Sequence, residues 1–393
     1  MTEERLNLLS QRLSVDFSTI KNKPTMFRND FAGMYVEDED LHIILVNNAD
    51  IEHYKQILND DNVIYHYTDI SYTDLIGIRN MFRDYYERFN IVSAAVMNHN
   101  SSIELTVTDE KSIPAIKYFL KSRNFTDLFI EKHFIFIKGE PIIFESSNTE
   151  YIIDTNETAC DTQDLKSGKY SANPGRKIIG KNTYKNSNQK YETSYATVGF
   201  PAKSSTSLGI VTAWHFAVHT SKYYWNYNQT TKKLYANIAS SADTTHSSSY
   251  DSTFVSFNSD DQTDSIISRY IMNTQKVVEK PATDSFINTM TGRTVHCYGQ
   301  IHSDVTGTVV SPSQDLRITY HSYSGVETTY LIKDTIKIKN ASTLDHGDSG
   351  GIVTYEYNSK VYLIGTIAGK NNSYQYINKY PNIRDSLQIT FAD

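Results

Sequence analysis

After Ile178 the chain loses almost all helical periodicity and becomes a succession of short β-type runs. They fall at residues 196–200, 208–213, 253–257, 294–299, 306–310, 317–320, 330–338, 351–357 and 361–367, separated by Gly, Asn and Ser. Many short strands joined by polar turns indicate a sandwich or a barrel. The first 150 residues read differently. Residues 31–47 form an alternating hairpin pattern around the acidic turn at Glu37 to Asp40, and residues 50–58 suggest a short helix. Residues 63–67 read as a strand. Ser71 or Thr73 can cap a helix reaching about Arg88, with Leu75, Ile78, Met81, Phe82 and Tyr85 on one face. Two strands at 91–97 and 103–107, a helix at 111–122 and strands at 134–138 and 142–144 complete an α/β unit, expected as helices on an antiparallel sheet. Between the blocks, residues 146–176 are rich in Ser, Asn, Thr, Asp and Gly, the texture of a linker.

A length of 393 residues fits two or three domains. The net charge of −7, with lysines scattered, argues against a nucleic-acid footprint or a polybasic membrane patch. No apolar run reaches the roughly 18 residues of a spanning helix. The polar start, from Met1 to Arg5, lacks the layout of a secretory signal. Two cysteines, Cys160 and Cys297, exclude a disulfide-dense scaffold and a Cys-only zinc site; a single bridge and two free thiols both remain open.

The strongest chemical signal is the run Gly347, Asp348, Ser349, Gly350, Gly351. A nucleophilic serine needs donors for an oxyanion, and backbone N–H groups supply them where glycine lets the chain turn. The N–H groups of Gly347 and Ser349 are the candidates. A serine also needs a base. His215 ends the apolar run 208–213, which would hold its imidazole at a strand end; His219, His246 and His346 are rivals without such a run. A third group must fix the imidazole tautomer. Asp251, before the alternating run 253–257, is the candidate, with Asp243, Asp260 and Asp261 as alternatives. The order His, Asp, Ser is itself a known arrangement.

These residues resemble the chymotrypsin-fold serine peptidases, and most the bacterial branch of alpha-lytic protease and the streptogrisins. The matching stretches are Lys177 to Gly180, Val211 to His215, Tyr250 to Val255, Gly292 to Thr294 with Gly299, and Gly347 to Gly351. Together they span most of residues 178–380. The resemblance implies a serine endopeptidase acting on protein or peptide substrates without cofactor or metal. Its fold would be an α+β pro-domain (1–150), a linker or activation segment (151–177) and an all-β double six-stranded barrel (178–393). Residues 31–36 and 41–45 resemble the hairpin of that branch's pro-region, which assists folding and then inhibits the product until cleaved. Secretion follows from the same resemblance.

The pocket for the side chain before the scissile bond is expected between Thr343 and His346 on one side and Ile367, Ala368, Gly369 and Lys370 on the other. With no carboxylate at Thr343 and with Ile367 as a wall, an uncharged small or medium residue is expected; Asp345 is the one hint of a basic preference. Cleavage is expected in the joint, at Arg176 or Lys177, and a freed Ile178 amine would have Asp348 as its partner. Three features depart from the family pattern. Trp214 replaces a small residue, no cysteine follows His215, and Ala368 stands where a serine would bond the triad Asp. Trp214 and Ala368 motivate one alternative, a catalytically silent binding module on the same fold, and the lack of a secretory signal motivates another, an intracellular protease with a permanent N-terminal domain.

Overall fold

The structure, a computed structural model, describes residues 3–18, 27–145, 151–153, 171–185, 191–228, 233–258, 267–321, 327–341, 344–345 and 347–392. Most of the joint, with Cys160, lies outside them, as do Asp260, Asp261, Thr343 and His346.

In the N-terminal block, strands Phe31–Glu37 and Asp40–Val46 form the expected antiparallel hairpin. Asp50 caps helix Ile51–Leu58 through the His53 N–H, and Ser71 caps helix Tyr72–Asn80 through the Asp74 N–H. That helix stops eight residues short of the expected end and continues as a turn of 3₁₀ helix, Arg83–Tyr85. The strands belong to two sheets, not one, and both are mixed rather than antiparallel. Strand Ile64–Thr68 runs parallel to Asp40–Val46, and Phe134–Lys138 parallel to Ser102–Val107. In each case intervening helices carry the chain back to the starting end, so the next strand must run in the same direction. Helices Glu3–Ser18 and Asp127–His133 were not legible in the pattern. One apolar core, including Leu9, Phe31, Leu45, Tyr54, Leu75, Phe82, Ile103 and Leu120, unites the block.

The C-terminal block is mostly β. One five-stranded sheet contains Lys177–Lys185, Tyr191–Thr197, Thr220–Asn228 and Lys233–Ser240; a second contains Phe200–Lys203, Leu208–Ala213, Thr244–Ser247 and Ser252–Ser256. The runs expected at 306–310 and 317–320 are one long strand, Val305–His321, which pairs with Glu327–Lys339. Two separate apolar cores fill the block. One lies around Ile178, Ile210, Tyr223 and Val255, the other around Val295, Ile338, Val353 and Ile364. Helix Tyr380–Leu387 packs into a third cluster with Phe200, Phe254 and Leu363. No described helix is long and apolar enough to cross a membrane.

The blocks share a sheet. Strand Ile91–Met97 pairs with Val305–His321 through Gln314, Asp315 and Leu316, giving an eleven-stranded sheet that runs from one block into the other. Strand Ile142–Glu145 does not fold back on Phe134–Lys138; it lies parallel to Val305–His321 at Ile318 to His321. Buried and half-buried charges line the seam. Arg83 donates both to Oδ2 (2.6 Å) and Oδ1 (3.0 Å) of Asp315, and Arg79 donates to Ser313 (2.6 Å) and Asp334 (3.3 Å). Lys379 donates to Asp334 at 3.0 Å and Lys337 to Glu104 at 2.7 Å.

Candidate active site

Strand register brings the first two groups together. Ala213, the last residue of Leu208–Ala213, pairs with Ser252, the first of Ser252–Ser256. The next residues on each side leave the sheet in opposite local structures. Trp214–Ala217 turns into a single helical turn, while Asp251 ends the 3₁₀ turn Ser248–Tyr250 at φ 39°, a left-handed conformation that Asp tolerates better than most residues. Asp251 therefore faces the start of the helical turn. Its Oδ1 accepts the His215 backbone N–H (2.9 Å), doing the work of an N-cap from a distant element. Its carboxylate also meets His215 Nδ1 at 2.9 and 3.0 Å. Asp251 is fully buried and His215 nearly so. The imidazole is thus held through Nδ1 by the Asp251 carboxylate.

The serine loop abuts the same strand end. Gly350, at φ +81°, sits so close to Ala213 that a Cβ there would lie 2.6 Å from the Ala213 nitrogen, and the Ser349 carbonyl accepts the Thr197 N–H at 2.9 Å. Gly347, at φ +100°, packs on the Tyr195 ring, and its carbonyl accepts the Thr197 hydroxyl at 2.7 Å. Around Ser349 the backbone donors divide in two. The N–H groups of Asp348, Gly350 and Gly351 go to the carbonyls of Asp345, Ile367 and Asp348. Those of Gly347 and Ser349 have no hydrogen-bond partner among the described residues. Ser349 is itself part-exposed.

Asp348 is fixed by different partners from those expected. Its buried carboxylate accepts the N–H groups of Ile301 (2.8 Å), His302 (3.2 Å) and Asp345 (3.0 Å), and meets His302 Nδ1 at 2.9 Å. Ile178 is a buried residue within strand Lys177–Lys185 and pairs with Ala196. Nothing in the sequence around His302 signalled this role. Arg176 and Lys177 are not a loose solvated pair either. Arg176 donates to the Ser171 carbonyl at 2.8 Å and lies over the Trp225 ring, while Lys177 lies over Tyr195.

The remaining candidates separate. Ile367 brackets the serine loop, its N–H going to the Gly351 carbonyl and its carbonyl accepting the Gly350 N–H, both at 2.8 Å. Ala368 is buried in the seam cluster with Tyr320 and Ile332, and among the described residues Asp251 has no carboxylate donor other than His215. Gly369 follows in the same strand, Lys360–Lys370. Trp214 packs edge-on against Tyr330. His219 stacks on Tyr320, and His246 bonds Thr244 and Thr253; burial lowers the pKa of both. Cys297 is a buried free thiol, pushed up by desolvation.

No family model matches this chain, and comparison with curated proteins finds no match. Solved structures similar to it are chymotrypsin-fold serine proteases. One is a glutamic acid-specific serine protease described as using a histidine triad in substrate binding, with TM-score 0.38 and 14% identity, covering 56% of this chain and 99% of that one. Protease A of Thermobifida fusca gives TM-score 0.36 and 16% identity, over 56% and 98%. An alpha-lytic protease homologue, N4, gives 0.37 and 12%, over 56% and 97%.

Proposed function

We propose that this chain is a serine endopeptidase of the two-barrel chymotrypsin architecture, with Ser349 as nucleophile, His215 as general base and Asp251 orienting that base. The observation that carries this reading is a conjunction at one strand end. A buried imidazole is held through Nδ1 by a buried carboxylate, beside a serine turn whose Gly347 and Ser349 N–H groups have no partner among the described residues while their neighbours are bonded. Those two donors suit an oxyanion. His215 takes the Ser349 proton as Oγ attacks the carbonyl, and returns it to the leaving amine. Water then hydrolyses the acyl-enzyme by the same proton relay.

The N-terminal block acts in this reading as a pro-domain. Its exit strand, Ile142–Glu145, lies along the strand whose Tyr320 ring is 6.2 Å from the His215 ring. Activation then requires a cut before residue 171, since Arg176 and Lys177 are tied into the C-terminal block. The Asp348 carboxylate already has His302 and three N–H donors, so the serine loop needs no new N-terminal ammonium. A fluorophosphonate probe should label Ser349, mapped by mass spectrometry, once the joint has been nicked. Nicked, folded protein that stays unlabelled would refute the reading.

A further inference from the structure

Two carbonyls of the serine loop are held by a single residue outside it, Thr197. This residue ends strand Tyr191–Thr197 and is fully buried. Its N–H donates to the Ser349 carbonyl at 2.9 Å, and its hydroxyl donates to the Gly347 carbonyl at 2.7 Å. A further bond orients that hydroxyl. The Gln300 N–H donates to Thr197 Oγ1 at 3.0 Å, and the Gly347 carbonyl can only accept, so the single hydroxyl proton goes to Gly347. The Thr197 main chain is held in turn, its carbonyl accepting the Thr212 hydroxyl at 2.8 Å.

We infer that Thr197 is a positioning residue for the oxyanion donors, acting through the peptide units on either side of Ser349. This deepens the protease reading and rests on it. A peptide unit is planar, with its N–H pointing away from its carbonyl, so fixing both groups fixes the plane. The unit joining Gly347 to Asp348 has its carbonyl on the Thr197 hydroxyl and its N–H on the Asp345 carbonyl. The unit joining Ser349 to Gly350 has its carbonyl on the Thr197 N–H and its N–H on the Ile367 carbonyl. Between them, the Asp348 carbonyl accepts the Gly351 N–H at 2.9 Å. The loop is thus held at both flanks in the turn that gives the Gly347 and Ser349 N–H groups no partner among the described residues. Without the hydroxyl, the buried Gly347 carbonyl has no donor among the described residues. A buried carbonyl without a donor is costly, so its peptide unit would turn to find one and disturb Gly347.

The test uses the full chain, nicked in the joint. Turnover of a peptide ester is measured together with fluorophosphonate labelling of Ser349 carried to completion, and a thermal melt. Thr197→Val keeps the shape and loses the hydroxyl. It should lower kcat by about ten- to a hundredfold, the range an unsatisfied buried carbonyl supports, with KM near the wild-type value. Affinity for a peptide aldehyde, which forms a tetrahedral adduct on the serine, should fall by the same factor. Thr197→Ser, which retains the hydroxyl, should restore most of both losses. A purely structural role would lower the melt without separating kcat from KM. Thr197→Ala, lacking the same hydroxyl, takes the place of Thr197→Val if that variant does not fold. Wild-type kcat in the folded variant, or a loss that Thr197→Ser does not restore, would overturn this inference while labelling of Ser349 leaves the protease reading standing. Folded wild type in which Ser349 never labels would overturn both.

Discussion

The strand end at His215 and the seam between the blocks both bury carboxylates, but they use them differently. Among the described residues the Asp251 carboxylate accepts only from the His215 backbone and ring. At the seam, Asp334 is met by Arg79, Ser313, Lys379 and Asn382, and Asp315 by Arg83, the Asp334 N–H and, at 3.6 Å, Arg79. A carboxylate with many fixed partners locks an assembly. One with a single partner orients that partner, as the role proposed for Asp251 requires. The comparison can be broken at either end.

Asp251→Asn should give the largest effect. The amide would favour the wrong imidazole tautomer, and kcat should fall by about 10⁴ with little change in fold. Turnover of a peptide ester together with a thermal melt checks this; near wild-type turnover would remove Asp251 from the site. Arg79→Ala should cost stability instead, about 3–5 kcal/mol, because it leaves buried carboxylates with too few cations. The denaturation midpoint of the full chain measures it, and an unchanged midpoint would mean that the seam charges only break even.

Acid should act at the seam as well. Burial raises the Asp334 carboxyl, but Lys379 and Arg79 outweigh this and hold it below the usual carboxylate range. A carboxyl lowered by folding contributes stability above its unfolded pKa of about 4, and that contribution disappears as pH falls toward the folded value. Asp284, raised by burial, opposes the trend. Size exclusion of the nicked chain should show the blocks associated between about pH 5 and 8 and loosening below about pH 4; separation near neutrality with retention in acid would reverse the assignment. The smallest effect is expected from Ala368→Ser. On the proposed reading, in which Ala368 takes the place of the serine that the resemblance implies, a hydroxyl there would give Asp251 a second side-chain partner, worth about 1 kcal/mol or roughly fivefold in kcat/KM. A loss of activity would mean that the buried site lacks room for the hydroxyl.

The sequence made the local parts of this arrangement readable. The apolar run 208–213 ending in His215, the alternating run after Asp251 and the glycines around Ser349 all leave marks within a few residues. The hairpin at Phe31–Glu37 and Asp40–Val46 and the Ser71 cap were visible for the same reason. What escaped is long-range. Arg83 meets Asp315 across 232 positions, and His302 meets Asp348 across 46. The parallel strands Ile64–Thr68 and Ile142–Glu145 take partners that no periodicity encodes, because period reports which face is buried and not what covers it. The mixed sheets and the shared seam are therefore products of chain return and of charge pairing between blocks.

The most direct test of the central claim, that His215 activates Ser349, is the rate at which a fluorophosphonate modifies Ser349 in nicked wild type and in His215→Ala. The rate should fall by at least about a hundredfold in the variant, the lower bound of what a positioned base supplies. Equal rates, or modification of a residue other than Ser349, would contradict it.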